Sequence, residues 1–196
     1  MEFEATGDAL AVVLGGSPAV TGAATAERSA GADLVEAVRG GDNAAFERLY
    51  RLYSPLVHGV LLARVPSSEV DDLVQDVFLA AIRKLHTLRD AGAFGPWVAM
   101  IARNRAMDFH RSRQETEDLS DDIPQSASTE EDAEAARALS VIRALPEAYR
   151  ETLILRLVEG LTGPEIAERT GLTPASVRVN LHRGMKLLRE RLGIEE

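Results

Sequence analysis

Two basic stretches hold the residue types that do chemistry with nucleic acid. The first is Trp97 to Arg113, WVAMIARNRAMDFHRSR, with four arginines against one aspartate. Asn104, Asp108 and Arg111 recur at spacings of four and three, with Arg103 beside them, so a helix sets them on one face. Guanidinium groups neutralise phosphates, and an asparagine amide can read base edges. The second stretch is Thr162 to Leu181, TGPEIAERTGLTPASVRVNL, whose spacing fits a helix-turn-helix. Ala167 supplies a small residue at a helix crossing, and Gly171, four positions on, suits the left-handed turn. Ile166, Leu172 and Val177 are the expected apolar pins, Thr173 the cap and Pro174 the first helical residue. Arg178, Arg183, Lys186, Arg189 and Arg191 then stand against Glu190 alone. Such a helix enters a major groove by its N-terminal residues and meets phosphates with its later bases. Each stretch alone also fits a solvated charged helix; pins and turn glycine in register favour DNA for the second.

Other chemistries are poorly served. The chain has no cysteine, which excludes disulfides, thiolate metal sites and cysteine nucleophiles. His58, His86, His110 and His182 are scattered without metal-ligand spacing, and neither Lys84 nor Lys186 follows a glycine, so no phosphate-binding loop exists. The expectation is a protein without catalytic residues, metal or cofactor.

The elements that position these stretches read as helices throughout, an all-α chain. Leu34, Val35 and Val38 open the helical pattern after Asp33; Asp42 or Asn43 caps a helix carrying Phe46, Leu49, Tyr50 and Tyr53; and Pro55 predicts a kink or restart. Ser68 to Asp71 fits a loose capping box for a helix over 69–85, whose apolar face carries Val70, Leu73, Val74, Val77, Phe78, Ala81 and Ile82. Thr87 to Gly95 reads as a loop, and a further helix runs from about Pro96 to Arg113. Helical periodicity resumes near Ala136 and ends near Leu192.

The 196 residues suit one medium domain or two small ones. No apolar run approaches the roughly 20 residues that cross a bilayer, and the acidic N-terminal residues do not resemble a secretory signal. A cytoplasmic protein without membrane insertion is expected. The net charge of −9 is unevenly distributed. Residues 114–135, QETEDLSDDIPQSASTEEDAEA, carry nine acids and no base, while 33–113 and 136–196 are slightly basic. Local charge decides nucleic-acid binding, so overall acidity is no objection. Residues 1–32, rich in Ala, Gly, Thr and Ser, read as a disordered extension, 33–113 as a first helical domain, 114–135 as a flexible acidic linker, 136–192 as a second domain, and 193–196 as a tail.

In order, the stretches GDNAAFERLYRLYSPLV, DDLVQDVFLAAIRKLHTLR and FGPWVAMIARNRAMDFHRSR resemble region 2 of the extracytoplasmic-function (ECF) group of sigma-70 transcription initiation factors. The stretch ALPEAYRETLILRLVEGLTGPEIAERTGLTPASVRVNLHRGMKLLRERL resembles region 4 of the same group. The resemblance implies a factor that binds core RNA polymerase and directs it to promoters. It implies that Asp72, Gln75 and Asp76 face the β′ clamp helices, and that the loop Thr87 to Gly95 holds a base flipped from the −10 element. Arg103, Asn104, Asp108 and Arg111 would contact −10 DNA, and Arg178, Asn180, Arg183 and Lys186 the −35 element. The face around Leu153 and Leu157 would pack in the core or against the β flap. An anti-sigma partner is implied as well. Val179 and Asn180 depart from the group's usual hydroxyl and basic residues, and Gly184 stands where alanine is usual, at about 1 kcal/mol in helix propensity.

The linker spans at most roughly 75 Å at about 3.4 Å per residue, against roughly 70 Å between DNA elements two turns apart. The resemblance implies that it threads the RNA channel of polymerase, and its charge predicts poor promoter binding without polymerase. Two other readings remain open on sequence: a stand-alone helix-turn-helix regulator, and a helical adaptor that reads no DNA.

Overall fold

The computed structural model describes residues 21–116 and 130–193. Eight α-helices follow one another among these residues, with no strand: α1 Thr21–Arg39, α2 Asn43–Leu62, α3 Ser67–Lys84, α4 Phe94–Thr116, α5 Glu130–Arg143, α6 Glu147–Leu157, α7 Gly163–Thr170 and α8 Pro174–Leu192. The all-α expectation holds. The segment 117–129, most of the expected acidic linker, lies outside the described residues, as do 1–20 and 194–196.

Local chemistry explains most helix ends. Asp42 caps α2, its carboxylate accepting from the amides of Ala44 and Ala45 at 2.8 and 3.0 Å. Thr173 caps α8, accepting from the Ser176 amide at 3.1 Å, and Pro174 follows at the first helical position. Helix α7 opens with a full capping box: the Glu165 amide donates to Thr162 Oγ1, and the Thr162 amide donates back to Glu165 Oε2 at 2.6 Å. Thr162→Ala should therefore destabilise the chain by about 1 kcal/mol, read from the denaturant midpoint; no change would mean that the cap is frayed in solution.

Five helices differ in extent or capping from the sequence reading. Helix α1 begins at Thr21 rather than near Asp33, in an alanine-rich run of high helix propensity. Pro55 does not restart α2, which runs through it to Leu62, with Leu49, Tyr53, Leu56 and Val57 on both sides of it buried in the same core. Pro66, not a capping box, precedes α3, and no side chain caps that helix. Helices α4 and α5 run into the acidic segment from either side, to Thr116 and from Glu130.

Helices α1 to α4 pack around Val35, Leu49, Leu56, Val60, Val77, Phe94 and Val98. Helices α5 to α8 enclose Leu145, Leu153, Ile154, Ile166 and Val177. The two halves pack against one another, α6 on α2 and α7 on α4, so their cores join in one cluster. Three successive residues of α6, Leu153, Ile154 and Leu155, are fully buried. A helix with no solvated face there must lie between two layers.

Gly184 has a packing reason. A Cβ there would lie 3.0 Å from Leu153 Cδ1 and 3.2 Å from Tyr149 Cβ, so glycine lets α8 cross α6 closely. Ile82, expected on the core face of α3, is instead exposed, as is Leu79. The apolar face of α3 is narrower than its sequence pattern, because α2 and α4 cover only one side.

Candidate nucleic-acid and polymerase interface

The second helix pair has the geometry of a helix-turn-helix. Gly171 ends α7 at φ 78°, ψ 9°, a left-handed turn that a side chain would strain. Ile166 and Val177 are buried between the helices and Ala167 nearly so, but Leu172 is 38 % exposed. Leu172 is therefore not a pin: it sits on the turn itself, beyond the helix crossing. On α8, Val177, Gly184, Met185 and Leu188 face inward. Arg178, Arg183 and Lys186 are exposed to solvent, while Asn180 is half-buried. Val179 and His182 are exposed as well, although neither was among the residues expected to contact the −35 element. Their spacing of one and four from Arg178 was the available signal.

Helix α4 divides its polar residues between two partners. Met100, Asn104, Met107 and Arg111 recur at four, three and four residues and form one exposed line. Asp108 flanks it and accepts a hydrogen bond from Arg111 at 2.6 Å. Three of the four residues assigned to −10 DNA thus share a solvent face. Arg103 does not. Its Nη2–H donates to Glu151 Oε1 at 2.6 Å and its Nε–H to Oε2 at 3.1 Å, a two-pronged pair with a residue of α6. Arg64 donates to the same carboxylate at 2.6 Å. Burial works against the charge of Glu151, yet hydrogen bonds and fields from Arg103 and Arg64 prevail and hold its carboxyl below the usual range. The hydrogen bond to Glu151, opposed by burial, holds the Arg103 guanidinium protonated still more firmly.

Helix α3 presents Asp72 and Gln75 to solvent; Asp76 is half-buried and accepts a hydrogen bond from Arg105. Leu79 lies on the same exposed line, an apolar member that sequence reading missed. Beyond α3, a short 3-10 turn, Leu85–Thr87, leads into the segment expected as a loop over Thr87 to Gly95, which holds a second turn, Ala91–Ala93, and ends in the start of α4 at Phe94. Asp90 stabilises the second, accepting from the Gly92 amide at 2.9 Å. Arg39, the last residue of α1, donates to the carbonyls of Leu85 and Leu88 and anchors the segment from behind. Nothing in the spacing of Arg39 announced that role, since the contact joins residues far apart in sequence.

His58 of α2 meets Glu159 beyond α6 at 2.6 Å. That hydrogen bond, opposed by burial and aided by the fields of Glu159 and Asp71, raises the imidazole pKa above its ordinary 6.5. A raised histidine stabilises the folded chain fully below its ordinary pKa and loses that contribution as pH rises through the raised value. As pH rises from about 6.5 through the raised value, thermal stability should fall more steeply than in His58→Gln. Parallel melting curves for the two proteins would refute the contact.

Among the described residues no group of side chains could hold a metal ion, and no helix is long and apolar enough to cross a membrane. A helix-turn-helix with a basic outer face, beside a second helix exposing Asn104 and Arg111, defines a helical nucleic-acid-binding protein. Comparison with known proteins narrows the class. The family model for sigma-70 region 2 matches residues 49–116, and that for sigma-70 region 4 matches 135–188. The RNA polymerase sigma factor CarQ of Myxococcus xanthus is 32 % identical over 171 residues, covering 81 % of this chain and 95 % of CarQ. The ECF RNA polymerase sigma factor ShbA of Streptomyces griseus is 35 % identical over 133 residues, 61 % of this chain and 70 % of ShbA. Among solved structures, CnrH in complex with the cytosolic domain of CnrY superposes with a TM-score of 0.60 at 26 % identity, covering 85 % of this chain and 99 % of that one. The chain belongs to the sigma-70 family, in its ECF group: factors that bind core RNA polymerase and start transcription at specific promoters.

Proposed function

We propose that this factor reads a two-part promoter with the surfaces described above. Asn104, Asp108 and Arg111, joined by Arg103, contact the −10 element and help hold it open; Arg178, Asn180, Arg183 and Lys186 contact the −35 element. Asp72, Gln75 and Asp76 face the β′ clamp helices of the polymerase, and the second half engages the β flap. The observation that carries this reading is the exposed line of Asn104, Met107 and Arg111 on α4 together with the exposed Arg178, Arg183 and Lys186 on α8, both helices being anchored in the core. Linking two modest sites raises overall affinity through effective concentration, which is the use of a tether between residues 33–113 and 136–192.

The factor acts in the cytoplasm as a non-catalytic specificity subunit. An anti-sigma protein holds it in reserve. The similar CnrH was solved bound to the cytosolic domain of CnrY, which supports such a partner here.

Transcription of fragmented host DNA by core polymerase, with and without this protein, tests the reading. New transcripts sharing a two-part upstream motif are expected. Retardation of DNA by the protein alone, with no new transcript, would instead make it a stand-alone regulator. Neither effect would make it an adaptor.

A further inference from the structure

We infer that Val179 is a specificity-determining residue of α8 and reads the C5-methyl group of a thymine in the −35 element. The inference rests on the assignment of α8 to that element. Val177, Gly184, Met185 and Leu188 hold α8 in the core. At about 100° per residue, Val179 points about 180° from the mean direction of those four, while Arg178 and Asn180 stand about 80° from that mean on opposite flanks. Ala175, Val179, His182 and Lys186 recur at four, three and four residues and are all exposed, so Val179 lies on the outermost line in the second turn of the helix.

A helix docked in a major groove brings the middle of its outward face nearest the base edges and its flanks nearest the phosphates. Arg178 is long enough to reach a base from its flank, whereas the half-buried Asn180 is left to the phosphates. Two other polar side chains have local partners. Ser176 Oγ lies 2.8 Å from Thr173 Oγ1 in the helix cap, and Lys186 Nζ is 4.0 Å from Glu190 Oε1. The fold itself does not ask for valine here. Val179 is 42 % exposed, and a β-branched residue gives up side-chain freedom in a helix without the return of core burial. The contact is particular to this chain, which has valine where the group usually has a hydroxyl.

Valine carries no hydrogen-bonding group, so it separates bases in two ways. It gains apolar contact with a thymine methyl, and it leaves the cytosine amino group, or the guanine N7 and O6, desolvated without a partner. Both favour an A·T pair beneath Val179, with the thymine methyl toward the side chain.

Holoenzyme assembled from core polymerase and the full chain tests this by run-off transcription from the recovered promoter, each −35 thymine being replaced in turn by deoxyuridine. Deoxyuridine pairs as thymidine does and lacks only the methyl group. At one position the wild type should lose about fourfold, the effect of removing one buried methyl-sized group. Val179→Ser should not respond to that replacement, and Val179→Thr, which keeps a methyl group, should retain much of the response. Damage to the fold or to polymerase binding would lower transcription from both templates alike and leave their ratio unchanged.

A −35 element without an A·T pair, or without a methyl-sensitive thymine, would overturn the inference, as would sensitivity that persists in Val179→Ser. The two-part promoter reading would survive each of these. Charge reversal at Arg178 and Arg183 that leaves transcription intact would instead remove α8 from the −35 element, and this inference with it.

Discussion

Charge reversal of both Arg178 and Arg183 to glutamate should reduce promoter-directed transcription on the order of a hundredfold or more, with the protein still bound to polymerase. A bidentate arginine–base pair is worth about 1–3 kcal/mol, and each 1.4 kcal/mol is a factor of ten. Reversal adds repulsion from phosphate to the lost contact. Both side chains are exposed on α8, whose core contacts are made by Val177, Gly184, Met185 and Leu188, so the fold should survive. Run-off transcription from the recovered promoter gives the loss, and co-purification with core polymerase gives the control. Intact transcription would show that α8 reads no DNA and would restore the adaptor reading. Val179→Ser and His182→Ala make smaller changes on the same face, and a shifted base preference in either would locate them on the element.

Leu153→Ala should cost about 2–5 kcal/mol of stability, the range for truncating a buried leucine in a core that relaxes only partly. Leu153 is fully buried and stands against the backbone of Gly184, where α8 crosses α6. Its removal opens a cavity between two helices that are already as close as glycine allows, leaving little room for collapse. Denaturant unfolding of the full chain reads the difference, with Val179→Ala as an exposed control expected within about 0.5 kcal/mol. A loss below about 1 kcal/mol would mean that the α6–α8 crossing is looser than described.

The helix-turn-helix was legible because its chemistry is local. Thr173, Pro174 and Gly171 act on neighbours within one turn, and their roles follow from φ preferences and orphan amides. The two basic helices were legible for the same reason, as were Asp42 as a cap and the core faces of α2 and α3, apart from Ile82. Leu172 misled because a turn residue and a pin look alike in sequence; only the crossing point separates them. Arg39 and Leu79 were invisible as site residues. One acts across the fold through carbonyls that carry no sequence signature, and the other looks like core until the width of the covering layer is known.

The sequence by itself determined an all-helical chain, its two basic faces and its family, since periodicity, caps and motif order are short-range properties. Tertiary structure alone decided what those halves do to each other. Arg103 looks like a DNA-reading residue in its own helix and becomes Glu151's partner only because α6 lies against the first half. Gly59 and Gly184 look like weak points in helices and become the places where other helices come closest. The physical reason is common to both: charge pairing and close packing depend on distances between segments far apart along the chain. Helical periodicity carries no record of those distances.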